Sequence, residues 1–175
     1  MASYERDETP VMFPLQEADH LLVYSLMARC EDYFYLQDGE APEQDDARQF
    51  FSDVPETKVP NDQLVFGYGQ RNLLTGLIAV LKDYPENKTW YIGLALVDPA
   101  LRSSGVGRIL YRYVQDLAIE SGAECMKAAV IEKNGAALQF WRKLGFIDIR
   151  LCSSERFKRL RHSRIELALS LAGRN

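Results

Sequence analysis

The chain is predicted to fold as an α/β protein around a mixed sheet. Three observations carry that prediction. Stretches of strand periodicity and amphipathic stretches of helical spacing follow one another in the order β-α-α-β-β-β-α-β-α-β-β, without internal repeats. Of 175 residues, 47% are hydrophobic and 11% aromatic, enough for one substantial core. The run R-S-S-G-V-G, residues 102–107, joins an apolar strand to an amphipathic helix through a tight glycine turn.

Residues 1–9 read as a flexible tail and residues 10–175 as a single domain. Residues 10–16 are expected as a short first strand, which Pro14 confines to a sheet edge because proline cannot donate to a ladder. Asp19 is placed to cap a helix carrying Leu22, Leu26 and Cys30 at helical spacing as far as about Tyr33. Gly39 to Pro42 is a break, and a second helix is predicted over 43–52. Residues 63–69 and 73–82 form a hairpin, 83–88 a turn, and 90–97 a third long strand ended by Pro99. From Gly105 to Ser121, Val106, Leu110, Tyr113, Val114 and Leu117 make one apolar stripe, which Gly122 stops. Cys125–Ile131 is a short apolar strand. Asn134 caps a helix with Ala137, Leu138, Trp141 and Leu144 inward and Gly145 at its end. Residues 146–151 and 164–171 are closing strands joined by a basic loop.

Net charge is −4, but its distribution is uneven. Residues 1–100 hold 18 acidic and 7 basic side chains; residues 101–175 hold 7 and 14. Acids concentrate in 31–62 and bases in 142–164. Two readings follow: oppositely charged faces that attract one another, or a polyanionic ligand on the C-terminal half and a cationic one facing the N-terminal half. Cys30, Cys125 and Cys152 lack paired spacing, so buried free thiols in a reducing, cytoplasmic compartment are expected, with no metal site. The N-terminus has no secretory pattern, and no apolar run is long enough to cross a bilayer. A sequence pI near 5.3 disfavours nucleic-acid binding.

The turn at 102–107 is suited to an anion. A helix leaves its first N–H groups unpaired, and its dipole puts partial positive charge there. No Lys follows the glycines, as a Walker A loop requires, and Leu110 stands where a dinucleotide fingerprint has its third glycine. The arrangement resembles the GCN5-related N-acetyltransferase (GNAT) family, whose signature [Q/R]-x-x-G-x-[G/A] follows a strand ending near V-x-P. Here the run is V-D-P-A-L-R-S-S-G-V-G, from Val97 to Gly107. A second block matches N-x-x-A followed by a helix ending in [F/Y]-x-[K/R]-x-G-F: Asn134, Ala137, then F-W-R-K-L-G-F from Phe140 to Phe146. The resemblance covers about residues 10–170.

That resemblance implies the acyl-CoA N-acyltransferase fold, a mixed and mostly antiparallel sheet flanked by helices, and acetyl-CoA as cosubstrate. By similarity, backbone N–H groups of Ser103, Ser104, Gly105, Val106 and Gly107 would hold the pyrophosphate, with Arg102 opening the loop and Arg108 near the phosphates. Asn134, Ala137 and Trp141 would line the pantetheine arm, and Arg142 or Lys143 would reach the 3′-phosphate. The strand before the loop would splay from the next, so that backbone of Leu96 and Val97 pairs with pantetheine amides and the Val97 N–H polarises the thioester carbonyl. Members often carry a base glutamate at positions that here are Tyr91, Gly93 or Ala129, and an acidic Tyr where Trp141 stands. That Glu–Tyr pair is therefore absent. Three explanations stay open: transfer by positioning and solvent deprotonation, a hydroxyl relay through Tyr91, whose side chain would share the parity of Gly93 and Val97, or acyl-CoA binding with little transfer. Glu132 is a fallback base. Tyr33, Tyr35 and Gly93 would line the acceptor site.

The expected activity is acetylation of a primary amine on a small cationic molecule by direct attack in a ternary complex. An anionic group on the acceptor would meet the basic loop. The alternatives are a protein or peptide N-acetyltransferase and a catalytically weak acyl-CoA sensor. The expected state is a monomer or homodimer, with neither membrane nor nucleic acid as partner.

Overall fold

The structure, a computed structural model, describes residues 9–173. Residues 1–8, most of the expected tail, lie outside them. The strands are β1 (Val11–Pro14), β2 (Gln63–Gln70), β3 (Leu73–Leu81), β4 (Thr89–Val97), β5 (Cys125–Ile131), β6 (Ile147–Leu151), β7 (Glu155–Phe157), β8 (Leu160–His162) and β9 (Arg164–Ser170). The helices are α1 (His20–Arg29), α2 (Glu31–Asp38), α3 (Gln44–Gln49), α4 (Val106–Glu120) and α5 (Gly135–Lys143). A seven-stranded sheet runs β1-β2-β3-β4-β5-β9-β6, and every pairing in it is antiparallel except β4 with β5. Among the described residues, no helix is long and apolar enough to cross a membrane.

Each face of the sheet carries its own core. On one face, Val106, Leu110, Val114 and Ala118 of α4 and Leu138 and Trp141 of α5 pack on Ile78, Val80, Trp90, Ile92 and Met126. On the other, Val23, Leu26 and Met27 of α1 and Phe34 of α2 pack on Leu74, Leu77, Ala79 and Leu96. The α4 stripe recurs at three- and four-residue spacing, which aims one helix face at the sheet.

Two elements differ from expectation. The helix predicted to reach Tyr33 breaks at Cys30, whose backbone (φ −92, ψ 28) leaves the helical region between α1 and α2. Cys30 is fully buried, and its thiol donates to the Val97 carbonyl (3.4 Å). The break lets α1 lie on the core while α2 turns across the end of β4. The basic loop also contains the hairpin β7–β8, a separate two-stranded sheet. Of the three free cysteines only Cys30 is buried; Cys125 and Cys152 are half-buried, because strand alternation turns Cys125 away from the core side that Met126 occupies.

The two charged halves of the chain do attract one another. Lys158 Nζ bonds Asp46 (2.7 Å), Arg159 Nε bonds Glu40 (2.5 Å) and Arg102 makes a two-pronged bond to Asp32 (2.5 and 2.8 Å). These contacts dock the β7–β8 hairpin and the glycine turn on α2 and α3.

Candidate active site

The glycine turn is held from behind. Asp98, just past β4, accepts from the Ala100 N–H (3.0 Å) and from Arg29 Nε (2.6 Å), while Arg29 Nη2 donates to the Leu74 carbonyl. Ser103 (φ 64) and Gly105 (φ 99) then take left-handed backbone, and Gly105 caps α4. The first bond closing α4 runs from Ile109 N–H to Gly105 O (3.1 Å). The N–H groups of Val106, Gly107 and Arg108 therefore have no intrahelical acceptor. A Cβ on Gly105 would meet no atom within 4 Å, so the space above the helix start is open. A Cβ on Gly107 would stand 3.2 Å from the Phe140 ring, so this glycine lets α5 pack against the start of α4. An open, donor-rich helix N-terminus of this kind fits a pyrophosphate.

The strands beside the turn part as the resemblance implies. β4 pairs with β5 only from Thr89 to Ile92, opposite Cys125 to Ala128; beyond Ala128, β5 pairs with β9 alone. The parting starts at a bulge. Ala79 of β3 faces Leu94 and Val80 faces Ile92, so Gly93 is an extra residue with no cross-strand partner. Bulges bend a strand and shift its alternation. Trp90 and Ile92 accordingly face α4, whereas Leu94 and Leu96 face α1. Tyr91 thus lies on the α1 side, opposite Val97, which corrects the shared parity expected for them.

The same alternation settles the backbone. Asp98 N–H donates to Thr75 O on β3 (2.9 Å), so the amide one residue back, at Val97, turns away from β3 into the parting. Ala95 shares that orientation, and the amide of Leu96 turns toward β3. Ala95, not Leu96, therefore turns its backbone groups into the parting as Val97 does; of Val97 only the N–H is open there, since its carbonyl accepts from Cys30 and Arg102. A cleft of about 120 Å³ fills the parting, walled by Ala95, Ala128, Ala129, Asn134, Ala137 and Trp141 among others.

Several expected donor contacts are engaged elsewhere. The Arg102 guanidinium turns onto Asp32 and the Val97 carbonyl, and its hydrogen bond holds the Asp32 carboxyl below its ordinary range. Arg102 braces the loop against α2 in this state. Arg142 is bonded to Asp148 through Nε (3.0 Å) and Nη2 (2.6 Å); Lys143 and Arg108 are exposed. Asn134 Oδ1 accepts from Ala137 N–H (3.1 Å) as a helix cap, which leaves its amide N–H groups for a ligand. Trp141 is buried among Tyr111, Phe140 and Phe146 and walls the cleft at one edge.

A second cavity, of about 680 Å³, opens on the α2 side of Gly93. Tyr33 and Gly93 line both cavities, and Tyr91 lines the larger one. Tyr35 lines neither and is 53% exposed, because two residues of helix carry it to the face opposite Tyr33. Glu132 is exposed and lines neither cavity. The larger cavity also takes Phe50, Asp38, Asp46, Asp53, Glu155, Lys158 and Arg164. None of these was singled out from the sequence, although the acidic window and the basic loop that supply them were.

Burial pushes the Tyr91 hydroxyl up to about 12 and the Tyr33 hydroxyl further; Tyr33 donates to Gln37 Oε1 (2.7 Å). Both keep their protons at neutral pH. Burial also raises the Asp38 carboxyl, more than its bond from Gln37 and the nearby Lys158 lower it. A carboxyl raised in the folded state costs stability when ionised, and that cost is absent below the ordinary carboxylate range. Asp38→Asn is expected to raise Tm near pH 7 and to lose that advantage by about pH 4. A Tm difference constant across that range, in thermal melts of both proteins, would contradict the assignment.

A strand-parting cleft beside a donor-rich glycine turn is the arrangement that the family resemblance implies. The sequence profile of the Acetyltransferase (GNAT) family matches residues 22–146, and the chain belongs to that family. Solved structures agree on the fold. The ribosomal-protein-S18-alanine N-acetyltransferase of Escherichia coli aligns over 95% of this chain and 98% of its own, at 19% identity and a TM-score of 0.70. An acetyltransferase of Thermus thermophilus aligns over 94% and 98%, at 20% identity and 0.73. Salmonella typhimurium yncA, solved with its cofactor acetyl-CoA, aligns over 95% and 96%, at 18% identity and 0.64. A search of curated protein sequences finds no match.

Proposed function

We propose that this chain is an acetyl-CoA-dependent N-acetyltransferase that delivers the acetyl group directly to a primary amine of a small cationic molecule in one ternary complex. The observation that carries the reading is the meeting of the two cavities at Gly93 and Leu94, where a narrow cleft opens onto a wider chamber. Bound acetyl-CoA would supply an activated acetyl thioester. The unpaired N–H groups of Val106, Gly107 and Arg108 suit its pyrophosphate, and the Ala95 carbonyl and the Val97 N–H suit its pantetheine amides. The Ala95 N–H, which turns into the parting nearer Gly93 than that of Val97, would then face the thioester carbonyl and stabilise the oxyanion that develops there.

An attacking amine must first lose its proton. Asp38, Asp46, Asp53 and Glu155 make the chamber wall predominantly acidic, which favours entry of an ammonium ion. Tyr91 keeps its proton at neutral pH, so it acts as a relay and not as a fixed base: its oxygen accepts the amine's proton as its own passes to water. The departing coenzyme A thiolate takes a proton from solvent. Holding amine and thioester in contact supplies much of the remaining acceleration.

Release of free thiol from acetyl-CoA, followed over polyamines, aminoglycosides, amino acids and peptides, tests this reading. Turnover on small cationic amines supports it; turnover on peptides alone points to a protein acceptor, and binding without turnover to a sensor. Tyr91→Phe is expected to lower kcat/KM about 10-fold or more and to alter its pH profile. An unchanged rate at every pH removes the relay.

A further inference from the structure

We infer that the acceptor is a free α-amino acid with a basic side chain, its carboxylate held by Arg164; the inference rests on the N-acetyltransferase reading above. Among the described residues, Arg164 is the only charged residue that lines both cavities. It begins β9 and pairs with Ile131 of β5, so a strand of the central sheet fixes its base. Its guanidinium carbon lies 5.7 Å from the centre of the Phe157 ring, which also lines both cavities.

The guanidinium is only partly used. Nη2 donates to Glu155 (2.8 Å), whereas Nε is buried without a partner, and Nη1 has no protein partner among the described residues. The other groups lining both cavities, Tyr33, Gln37, Gly93 and Leu94, are neutral. Among the described residues, Glu155 is thus the one carboxylate bonded to this cation. A buried N–H without an acceptor is costly, and an arginine fork binds a carboxylate well.

The place of this cation selects the kind of amine. The reacting nitrogen must sit where the cavities meet, beside Gly93. A carboxylate on Arg164, at the same junction, therefore lies next to the reacting amine and not at the far end of a long molecule. An α-amino acid carries both groups on one carbon. Its side chain would extend into the larger cavity. There Asp46 is paired with Lys158, but Asp38 and Asp53 make no ion pair among the described residues. Two carboxylates without an ion-pair partner, Asp38 bonded only by the neutral Gln37 amide, favour a side chain that ends in a cation. A peptide N-terminus has a neutral amide in place of the carboxylate, so it forgoes the Arg164 contact.

The test compares L-arginine with L-argininamide, in which only the α-amine is a ready acceptor. Turnover is read as thiol release, and acceptor binding by calorimetry in the presence of coenzyme A. Wild type is expected to favour the acid about 100-fold in kcat/KM, the scale of a charge-assisted bond lost. Arg164→Gln should lower kcat/KM for the acid about 100-fold and change that for the amide by less than about threefold. It should leave acetyl-CoA binding intact, which also shows that the variant is folded. Equal use of acid and amide by wild type, preference for the amide, binding of neither, or equal loss on both in Arg164→Gln overturns the inference. These outcomes, seen in a protein that binds acetyl-CoA and acetylates other amines, leave the acetyltransferase reading standing. Failure of wild type to bind acetyl-CoA overturns that reading instead.

Discussion

Replacing Gly105 by aspartate is expected to abolish useful acetyl-CoA binding while the fold survives. Gly105 sits at φ 99, where an L side chain is strained by roughly 1–2 kcal/mol. Nothing packs within 4 Å of its missing Cβ, so a side chain can start there without a clash and the cost to folding stays near that strain. Its carboxylate would enter the space in front of the unpaired N–H groups of Val106, Gly107 and Arg108. A phosphate would then face a like charge where it now faces donors, a penalty of several kcal/mol in such a setting. Acetyl-CoA titration by calorimetry should show affinity falling by about 100-fold or more, with a Tm drop of only a few degrees. Undiminished affinity in a folded Gly105→Asp variant would separate this turn from donor binding.

Trp141→Ala is expected to be the most destabilising change at the site. Trp141 is 5% exposed and makes edge-to-face contacts with Tyr111, Phe140 and Phe146, at centroid distances of 5.9, 4.9 and 5.3 Å. Truncating a buried Trp to Ala typically costs about 3–5 kcal/mol. Total stabilities of single domains are roughly 5–15 kcal/mol, so a large share of the fold's margin would go. Trp141→Phe keeps most of the ring contacts and should cost much less. Urea denaturation of the three proteins checks the order. A Trp141→Ala midpoint within error of wild type would mean that the aromatic cluster is not part of the core. This tryptophan has no proton to give near neutral pH, so its place is in packing and in the wall of the β4–β5 cleft.

The glycine turn and the Asn134 helix start were largely legible before the structure because their signals are local. A left-handed cap needs glycine, a helix start needs a turn, and Asn134 caps its helix through a contact three residues away. The element order and the outline of the sheet follow from periodicity for the same reason. What stayed hidden depends on partners distant in sequence. Gly93 becomes a bulge only through the register of β4 against β3, and that bulge reverses the side on which Tyr91 lies relative to Val97. Leu96 and Ala95 exchange expected roles for the same cause.

The charged residues show this more strongly. Arg102 bonds Asp32, 70 positions away, and Lys158 bonds Asp46, 112 away. The uneven charge along the chain announces attraction between the halves without naming pairs. Arg164 lies in a loop-and-strand junction with no motif of its own; only the meeting of two cavities marks it. The β7–β8 hairpin escaped notice because its strands are three residues each and dominated by charge, too short for alternation to register.

A crystal structure of the protein grown with acetyl-CoA tests the donor site most directly. The pyrophosphate should lie against the backbone of residues 103–108, and the pantetheine arm should run between β4 and β5, bonded to Ala95 and Val97, with the thioester ending at Gly93. Acetyl-CoA density anywhere else, or a β4–β5 cleft left empty at saturating ligand, would contradict the assignment of this cleft.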